Sequence, residues 1–304
     1  MGMERINTAD SMISYKPSDW LNFLFSFHKS DTFRQLGILM LALGLYAYGV
    51  RYVEKEYFHI DVSSEISKLT ILHTILGTVM SLLLVFRTNT AYDRWWEGRK
   101  LWGSLTNSSR NLASKMNAIL HFSDHENRNF YRKSIPLFAI TLSHHLLLEK
   151  TRTELDQDFT DEFEMPADVQ HKPNYLASII HNRTYKLRKE EKITESELLS
   201  INSEISNFLE VAGGCERIKN TPIPYSYSSF LRKFILFYII TLPWVFSPTL
   251  GNYVIPFSIF IFYVLGSLEL IAEEIEDPFG GDENDVPIEK ISQNIKRNVS
   301  EIIR

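Results

Sequence analysis

The chain has 304 residues, a net charge of −5 and a single cysteine, Cys215. The acidic balance argues against a nucleic-acid partner, because proteins that bind nucleic acid usually present a basic surface. A lone cysteine excludes an internal disulfide, which is typical of a protein whose bulk faces a reducing compartment. The sequence contains no phosphate-binding loop, zinc-protease motif or nucleophile elbow, so it does not predict an enzyme.

Three stretches of the chain contain no Asp, Glu, Lys or Arg, and they are Gln35–Val50, Leu69–Phe86 and Phe234–Leu268. A helix that crosses a bilayer needs about 20 apolar residues. The third stretch has 35 residues, too many for one crossing, and Pro248 and Gly251 interrupt it near its middle. We therefore predict an all-α membrane protein with four transmembrane helices rather than buried helices of a water-soluble protein.

The distribution of Lys and Arg around these stretches predicts the orientation in the membrane. Basic residues follow the second stretch and precede the third, whereas residues 247–253 contain none. Because basic residues concentrate on the cytosolic side, we expect a multi-pass protein of the plasma (inner) membrane with both termini and the main soluble domain in the cytosol. The expected organisation is a single unit over 1–304, made of an interfacial N-terminal segment (1–33), two transmembrane helices (34–86), a cytosolic helical domain (87–233), two further transmembrane helices (234–272), and an acidic turn with a C-terminal cytosolic helix (273–304).

The predicted cytosolic domain carries helical signals. Thr194 and Glu197 have the spacing of a capping box, and apolar residues follow at three- and four-residue steps until Gly213-Gly214, where we expect that helix to end. His144 and His145 are adjacent in a further apolar helix. They would point about 100° apart and suit a shared metal poorly, so we predict a structural or solvated role for them.

The second apolar stretch has a pattern of its own. Thr70, Thr74, Thr78, Leu82 and Phe86 recur every four residues. One interpretation is a pore wall with hydroxyls toward one end and an apolar constriction at the other, which can gate by excluding water. The other is ordinary helix packing. The periodicity leaves the two open. His73, in the same stretch, is predicted to be a neutral hydrogen-bonded side chain.

Four motifs together carry a family resemblance. They are FRTNTAYDRWWEGRKLWG at Phe86–Gly103, GGCER at Gly213–Arg217, TPIPY at Thr221–Tyr225 and EDPFGGDEND at Glu276–Asp285. In order and spacing the chain resembles the bestrophin family, in particular its bacterial branch, over residues 15–303.

The resemblance implies a homopentameric ion channel whose central pore is lined by the second transmembrane helix. The three rings of the family's hydrophobic neck fall on Thr78, Leu82 and Phe86. Thr78 departs from the apolar pattern, which implies a wider or wetter outer neck. A second narrowing in the cytosolic vestibule falls on Thr184, where the family more often has an apolar residue.

The resemblance also bears on calcium. In eukaryotic members the acidic turn belongs to a calcium clasp, and the matching carboxylates are Asp282 and Asp285. Gly281 and Asn284 interrupt the run of acidic residues here, which argues against calcium gating. We therefore predict no cofactor, and calcium is the one candidate that the resemblance leaves open.

Several functions stay open. The resemblance places an anion channel, chloride above all, first, and a sodium-conducting bacterial homologue second. No charged residue lines Leu69–Phe86 to enforce either choice, whereas Glu273 and Glu274 would favour cations if they faced the axis. A membrane-anchored scaffold or sensor without conduction is the alternative of another class. A secondary transporter is less favoured because no inverted repeat is visible.

Overall fold

The structure is a computed structural model, and it describes residues 32–58, 65–147, 169–282 and 284–304, with only the backbone of 65–68. The predicted interfacial segment therefore lies outside the described residues, except for its last two positions.

The described residues form helices joined by turns, with no strand among them. In chain order they are α1 (Thr32–Val53, continued by a π-helical turn at Glu54–Phe58), α2 (Glu65–Ile119), α3 (His125–Leu146), α4 (Lys172–Lys189), α5 (Glu195–Asn220), α6 (Tyr225–Leu250, followed by a 3-10 turn at Gly251–Tyr253), α7 (Val254–Glu276) and α8 (Ile288–Ile302). This confirms the predicted all-α class.

The chain divides into two compact units. The membrane unit contains the described residues of Ser14–Asp93 and Pro222–Glu276, and the polar unit contains those of Arg94–Thr221 and Asp277–Arg304. Helix α2 belongs to both units: its residues up to Asp93 are in the membrane unit and the rest are in the polar unit. The helix is continuous because Glu65–Ile119 contains no proline.

Among the described residues, three helical segments, not four, are long and apolar enough to cross a bilayer. They are Thr32–Phe58, Leu69–Ile119 and Tyr225–Glu276. The third has 52 residues and comprises both α6 and α7, which the 3-10 turn at Gly251 separates. Gly251 has a φ of +56°, a conformation that glycine adopts without strain.

An apolar core holds the membrane unit together. It includes Met80, Leu84, Leu231, Leu242 and Val254, all buried. Close approach of helices depends on small residues, since a Cβ added to Gly266 of α7 would lie 3.0 Å from the Leu36 Cδ1 atom of α1. Many large apolar side chains on the outer faces of these helices remain exposed, as expected where lipid or another subunit covers them.

In the polar unit, the capping box at the start of α5 is confirmed. The Glu197 amide donates to Thr194 Oγ1 at 3.3 Å, and Glu197 Oε2 accepts from the Thr194 amide at 2.7 Å. The predicted end of this helix at Gly213-Gly214 is wrong, because α5 continues to Asn220. Gly214 instead permits close packing: a Cβ there would meet the Leu101 methyls at 3.0 Å.

Candidate functional site

The predicted neck residues lie on the exposed face of α2. Leu82 is 55% exposed and Phe86 63%, and Thr78 is exposed as well. The opposite face of the helix is buried in the membrane unit through His73, Met80, Leu84 and Arg87. At about 100° per residue, Leu82 stands nearly opposite the middle of that buried face. The three predicted neck positions therefore point away from the packed residues of the membrane unit.

Two threonine hydroxyl groups in the first half of α2 are bonded within the helix, whereas Thr70 Oγ1 is buried without a hydrogen-bond partner. Thr74 Oγ1 donates to the Thr70 carbonyl at 2.8 Å, and Thr78 Oγ1 donates to the Thr74 carbonyl at 3.1 Å. Such back-bonding occupies the hydroxyl proton. Thr78 can therefore offer an ion only an acceptor oxygen and a methyl group, which makes this position less polar than its residue type suggests.

A buried ion network anchors α2 directly after Phe86. Arg87 is 1% exposed, and its Nη2 lies 2.6 Å from Glu276 Oε2 while its Nε lies 3.7 Å from Glu269 Oε2, both on α7. Glu276 Oε1 also accepts from the Ile223 amide at 2.7 Å. The sequence does not reveal this role, because the partners of Arg87 lie far along the chain.

The two acidic residues considered as vestibule charges have partners inside the membrane unit. Glu273 pairs with Arg232 Nη2 at 2.6 Å, and Glu274 accepts from Gln35 Nε2 at 3.4 Å. The ion pair with Arg232 reduces the attraction that Glu273 could exert on a cation, whereas the neutral amide of Gln35 leaves the charge of Glu274 in place.

His73 is buried on the packed face of α2. Its Nε2 donates to the Tyr238 carbonyl at 3.1 Å, and its ring lies 4.0 Å from the Tyr238 ring. The predicted hydrogen bond of His73 is therefore present, and its ring is turned away from the neck face.

Asp93 is an exposed carboxylate that sequence reasoning missed. It follows Phe86 by seven residues on the same helix and in the same unit, and it forms no ion pair within the described part of the chain. Seven residues turn a helix by about 700°, only about 20° short of two turns. Asp93 therefore shares the face of Phe86, and the seven-residue spacing could have revealed it.

Thr184 does not reach solvent. It is fully buried in the polar unit, where its Oγ1 donates to the Ile180 carbonyl at 2.8 Å and accepts from the Tyr131 hydroxyl at 2.8 Å. Burial raises the pKa of Tyr131 to about 12, so the phenol keeps the proton that it donates. This contradicts the predicted cytosolic narrowing at Thr184, because a side chain that narrows an aqueous passage must face it.

The acidic turn closes on itself through Asp285. Asp285 Oδ2 accepts from the amides of Gly281 and Asp282 at 2.7 and 2.8 Å, while its Oδ1 is buried without a hydrogen-bond partner. Gly281 has a φ of +96°, which glycine tolerates. Burial raises the pKa of Asp285 to about 7, although the hydrogen bonds from the two amides act to lower it.

These residues do not fit a calcium ion. Calcium takes six to eight oxygen ligands, whereas Asp285 turns one oxygen to two N–H donors and Asp282 points to solvent. Among the described residues, which omit Glu283, the carboxylates of this turn form no group that could hold a metal ion. The roles predicted for Asp282 and Asp285 thus find no support in the turn's geometry.

We expect the Asp285 carboxyl to make stability depend on pH. Its folded pKa, about 7, is above the ordinary value of 3.8, so the folded chain binds the proton more tightly. The contribution of this carboxyl to the free energy of unfolding is fully present below pH 3.8. It is lost as the pH rises toward 7, by up to about 1.4 kcal/mol per pH unit. Between pH 5 and 7, the midpoint of thermal unfolding should therefore fall less in Asp285→Asn than in the wild type. The same dependence of the midpoint on pH in both proteins would contradict this.

Comparisons with known proteins agree with this architecture. The family model of bacterial and fungal bestrophins matches residues 12–301. A voltage-dependent anion channel-forming protein of Nostoc sp. is 34% identical over 77% of this chain and 80% of its own length. The voltage-dependent anion channel-forming protein YneE of Escherichia coli K12 is 30% identical over 94% of this chain and 92% of its own.

The fold has solved counterparts. A bacterial bestrophin homologue from Klebsiella pneumoniae superposes with a TM-score of 0.75 at 23% identity, covering 89% of this chain and all of that one. The helical fold and its long apolar segments define a multi-helix membrane protein. The chain belongs to the bestrophin family, in its bacterial and fungal branch. This confirms the resemblance seen in the sequence and the prediction that the chain is not an enzyme.

Proposed function

We propose that this protein is a pentameric ion channel in which five copies of α2 surround a shared axial passage. The observation that carries the proposal is the exposure of Leu82 and Phe86 on the α2 face opposite the packed one. One subunit cannot enclose such a passage, whereas a ring with cyclic symmetry would bring these side chains together as a narrow apolar neck. Thr78 would form the outer ring of that neck.

We further propose four membrane crossings, by α1, the first part of α2, α6 and α7, with both termini and the polar unit in the cytosol. The 52-residue apolar segment Tyr225–Glu276 supports two crossings, because it bends at the Gly251–Tyr253 turn and each half exceeds about 20 residues. The basic residues after Phe86 and before Phe234 support the orientation.

The permeant ion is proposed to be a small monovalent anion, chloride first, because relatives that match most of the chain are named anion channel-forming proteins. Purified protein reconstituted in planar bilayers under a KCl gradient tests both the channel activity and the anion selectivity. A steady current that reverses toward the chloride equilibrium potential is the expected result. Reversal toward the potassium potential would reject anion selectivity, and absence of current in bilayers that contain intact protein would reject the channel.

A cation-conducting channel is the second candidate, and Asp93 favours it. In the proposed ring, five copies of this exposed carboxylate would stand about 10 Å below the Phe86 ring, at 1.5 Å per residue. A ring of acidic side chains concentrates cations and repels anions. No basic residue occupies the neck face between Leu69 and Phe86 to oppose it.

We expect Asp93→Asn to lower the cation-to-anion permeability ratio severalfold, because the substitution removes five negative charges at the inner mouth of the neck. The measurement is the reversal potential in a tenfold NaCl gradient. Glu210→Gln, which neutralises an exposed carboxylate on α5, is the matched control and should leave the ratio unchanged. Equal reversal potentials for the wild type and Asp93→Asn would show that Asp93 does not contribute to ion selectivity.

A further inference from the structure

Three side chains from three helices of the polar unit converge away from the proposed pore. His145 lies at the end of α3, His171 precedes the first turn of α4, and Glu216 lies on α5. Glu216 Oε1 is 2.9 Å from His145 Nε2 and 2.5 Å from His171 Nε2. The two imidazole rings lie side by side, with centroids 4.7 Å apart.

We propose that His145, His171 and Glu216 form a binding site for a divalent transition-metal ion of the zinc type. Two imidazole nitrogens and one carboxylate oxygen are a donor set that binds Zn²⁺, with water completing the coordination. The three donor atoms lie within 4.8 Å of one another, whereas ligands about 2.05 Å from a tetrahedral ion lie about 3.3 Å apart. To bind the ion, Glu216 Oε1 would move away from the two imidazole nitrogens, which now lie 2.9 and 2.5 Å from it.

The surroundings of the cluster suit an ion that exchanges with solvent. The side chains of His145, His171 and Glu216 are 23%, 34% and 26% exposed. This leaves a path for the ion and for its water ligands. The adjacent residue His144 is not part of the cluster. The structure pairs His145 with a histidine from another helix instead.

Binding has a structural consequence at the start of α4. Without metal, His171 Nδ1 accepts the Asn174 amide at 3.2 Å, so the ring proton resides on Nε2 and is donated to Glu216. When Nε2 coordinates an ion, that proton must move to Nδ1, which then can no longer accept the amide. Metal binding therefore releases the cap of α4, and hydrogen exchange at the Asn174 amide should become faster when Zn²⁺ is added.

The test uses the purified full-length chain, stripped of metal with EDTA, dialysed and titrated with ZnSO₄ by calorimetry and elemental analysis. We expect one Zn²⁺ per chain, and at least a tenfold loss of affinity in His145→Asn, His171→Asn and Glu216→Gln. His171→Asn retains a side chain that caps helices well, and Glu216→Gln retains a hydrogen-bond acceptor, so both variants should fold. Thermal unfolding without metal checks this.

His144→Asn is the matched control, because it removes a neighbouring histidine outside the cluster and should bind zinc as the wild type does. The proposal would be overturned if the wild type bound no more zinc than the His145→Asn/His171→Asn double variant, or if all variants bound zinc alike. Neither readout depends on ion conduction, so the outcome is independent of the proposed channel.

Discussion

Replacing Leu82 and Phe86 together by alanine is expected to raise the single-channel conductance at least about threefold, because both side chains project from the exposed face of α2 into the proposed neck. Each substitution removes most of an apolar side chain from every subunit, so five copies widen the ring at two levels. A wider ring also keeps its water more readily, which lowers the barrier that dewetting imposes on an ion. Single-channel recording in planar bilayers measures the effect.

The membrane unit offers a closely matched control for this pair. Leu236 and Phe237 on α6 have the same residue types and are 59% and 58% exposed. Alanine at both positions removes the same apolar volume from an outward face of another helix, and should leave the conductance unchanged. If the two double variants behaved alike, or if the variant at Leu82 and Phe86 conducted as the wild type does, α2 would not line the passage. A scaffold or sensor function would be favoured only if the wild type itself carried no current.

The membrane helices were largely predictable from the sequence, because uncharged length is a local property. The stretch Leu69–Phe86 falls within α2, and Phe234–Leu268 falls within α6 and α7, with the turn at Gly251 where proline and glycine predicted a break. The exposed side of α2 was also encoded locally. The four-residue row that ends at Leu82 and Phe86 indicated that these two positions lie near one another on the helix surface. It did not indicate whether that surface is buried or exposed.

Other features depend on tertiary contacts that the sequence does not display. Gly213-Gly214 has the composition of a helix end, but packing against Leu101 lets α5 continue through it. Thr184 was placed by its position in a family pattern, and only the fold shows its hydroxyl bonded to Tyr131. The partners of Arg87, and the meeting of His145 with His171, each join helices distant in the chain.

Arg87→Met is expected to lower the free energy of unfolding by about 3–5 kcal/mol, the largest stability effect we foresee. Methionine fills a similar space, so the loss comes from charge: Glu269 and Glu276 would stay on α7 without the guanidinium that both face. A carboxylate that loses a charged partner away from water is costly, even though Glu269 keeps Arg232 Nε at 3.3 Å. Thermal unfolding in one detergent, followed by circular dichroism, should show a markedly lower midpoint than the wild type.

Two further variants separate the loss of charge balance from the loss of a long side chain. Arg110→Met changes an exposed arginine on the same helix and should shift the midpoint little. Adding Glu269→Gln and Glu276→Gln to Arg87→Met should recover most of the stability, because a buried ionic group replaced on both sides by neutral residues is often tolerated. If the triple variant were no more stable than Arg87→Met, the guanidinium would act through packing instead. Because Arg87 follows Phe86 directly, recovered stability with altered conductance would show that the ion pairs also set the rotation of α2 about its axis and thereby aim Phe86 into the neck.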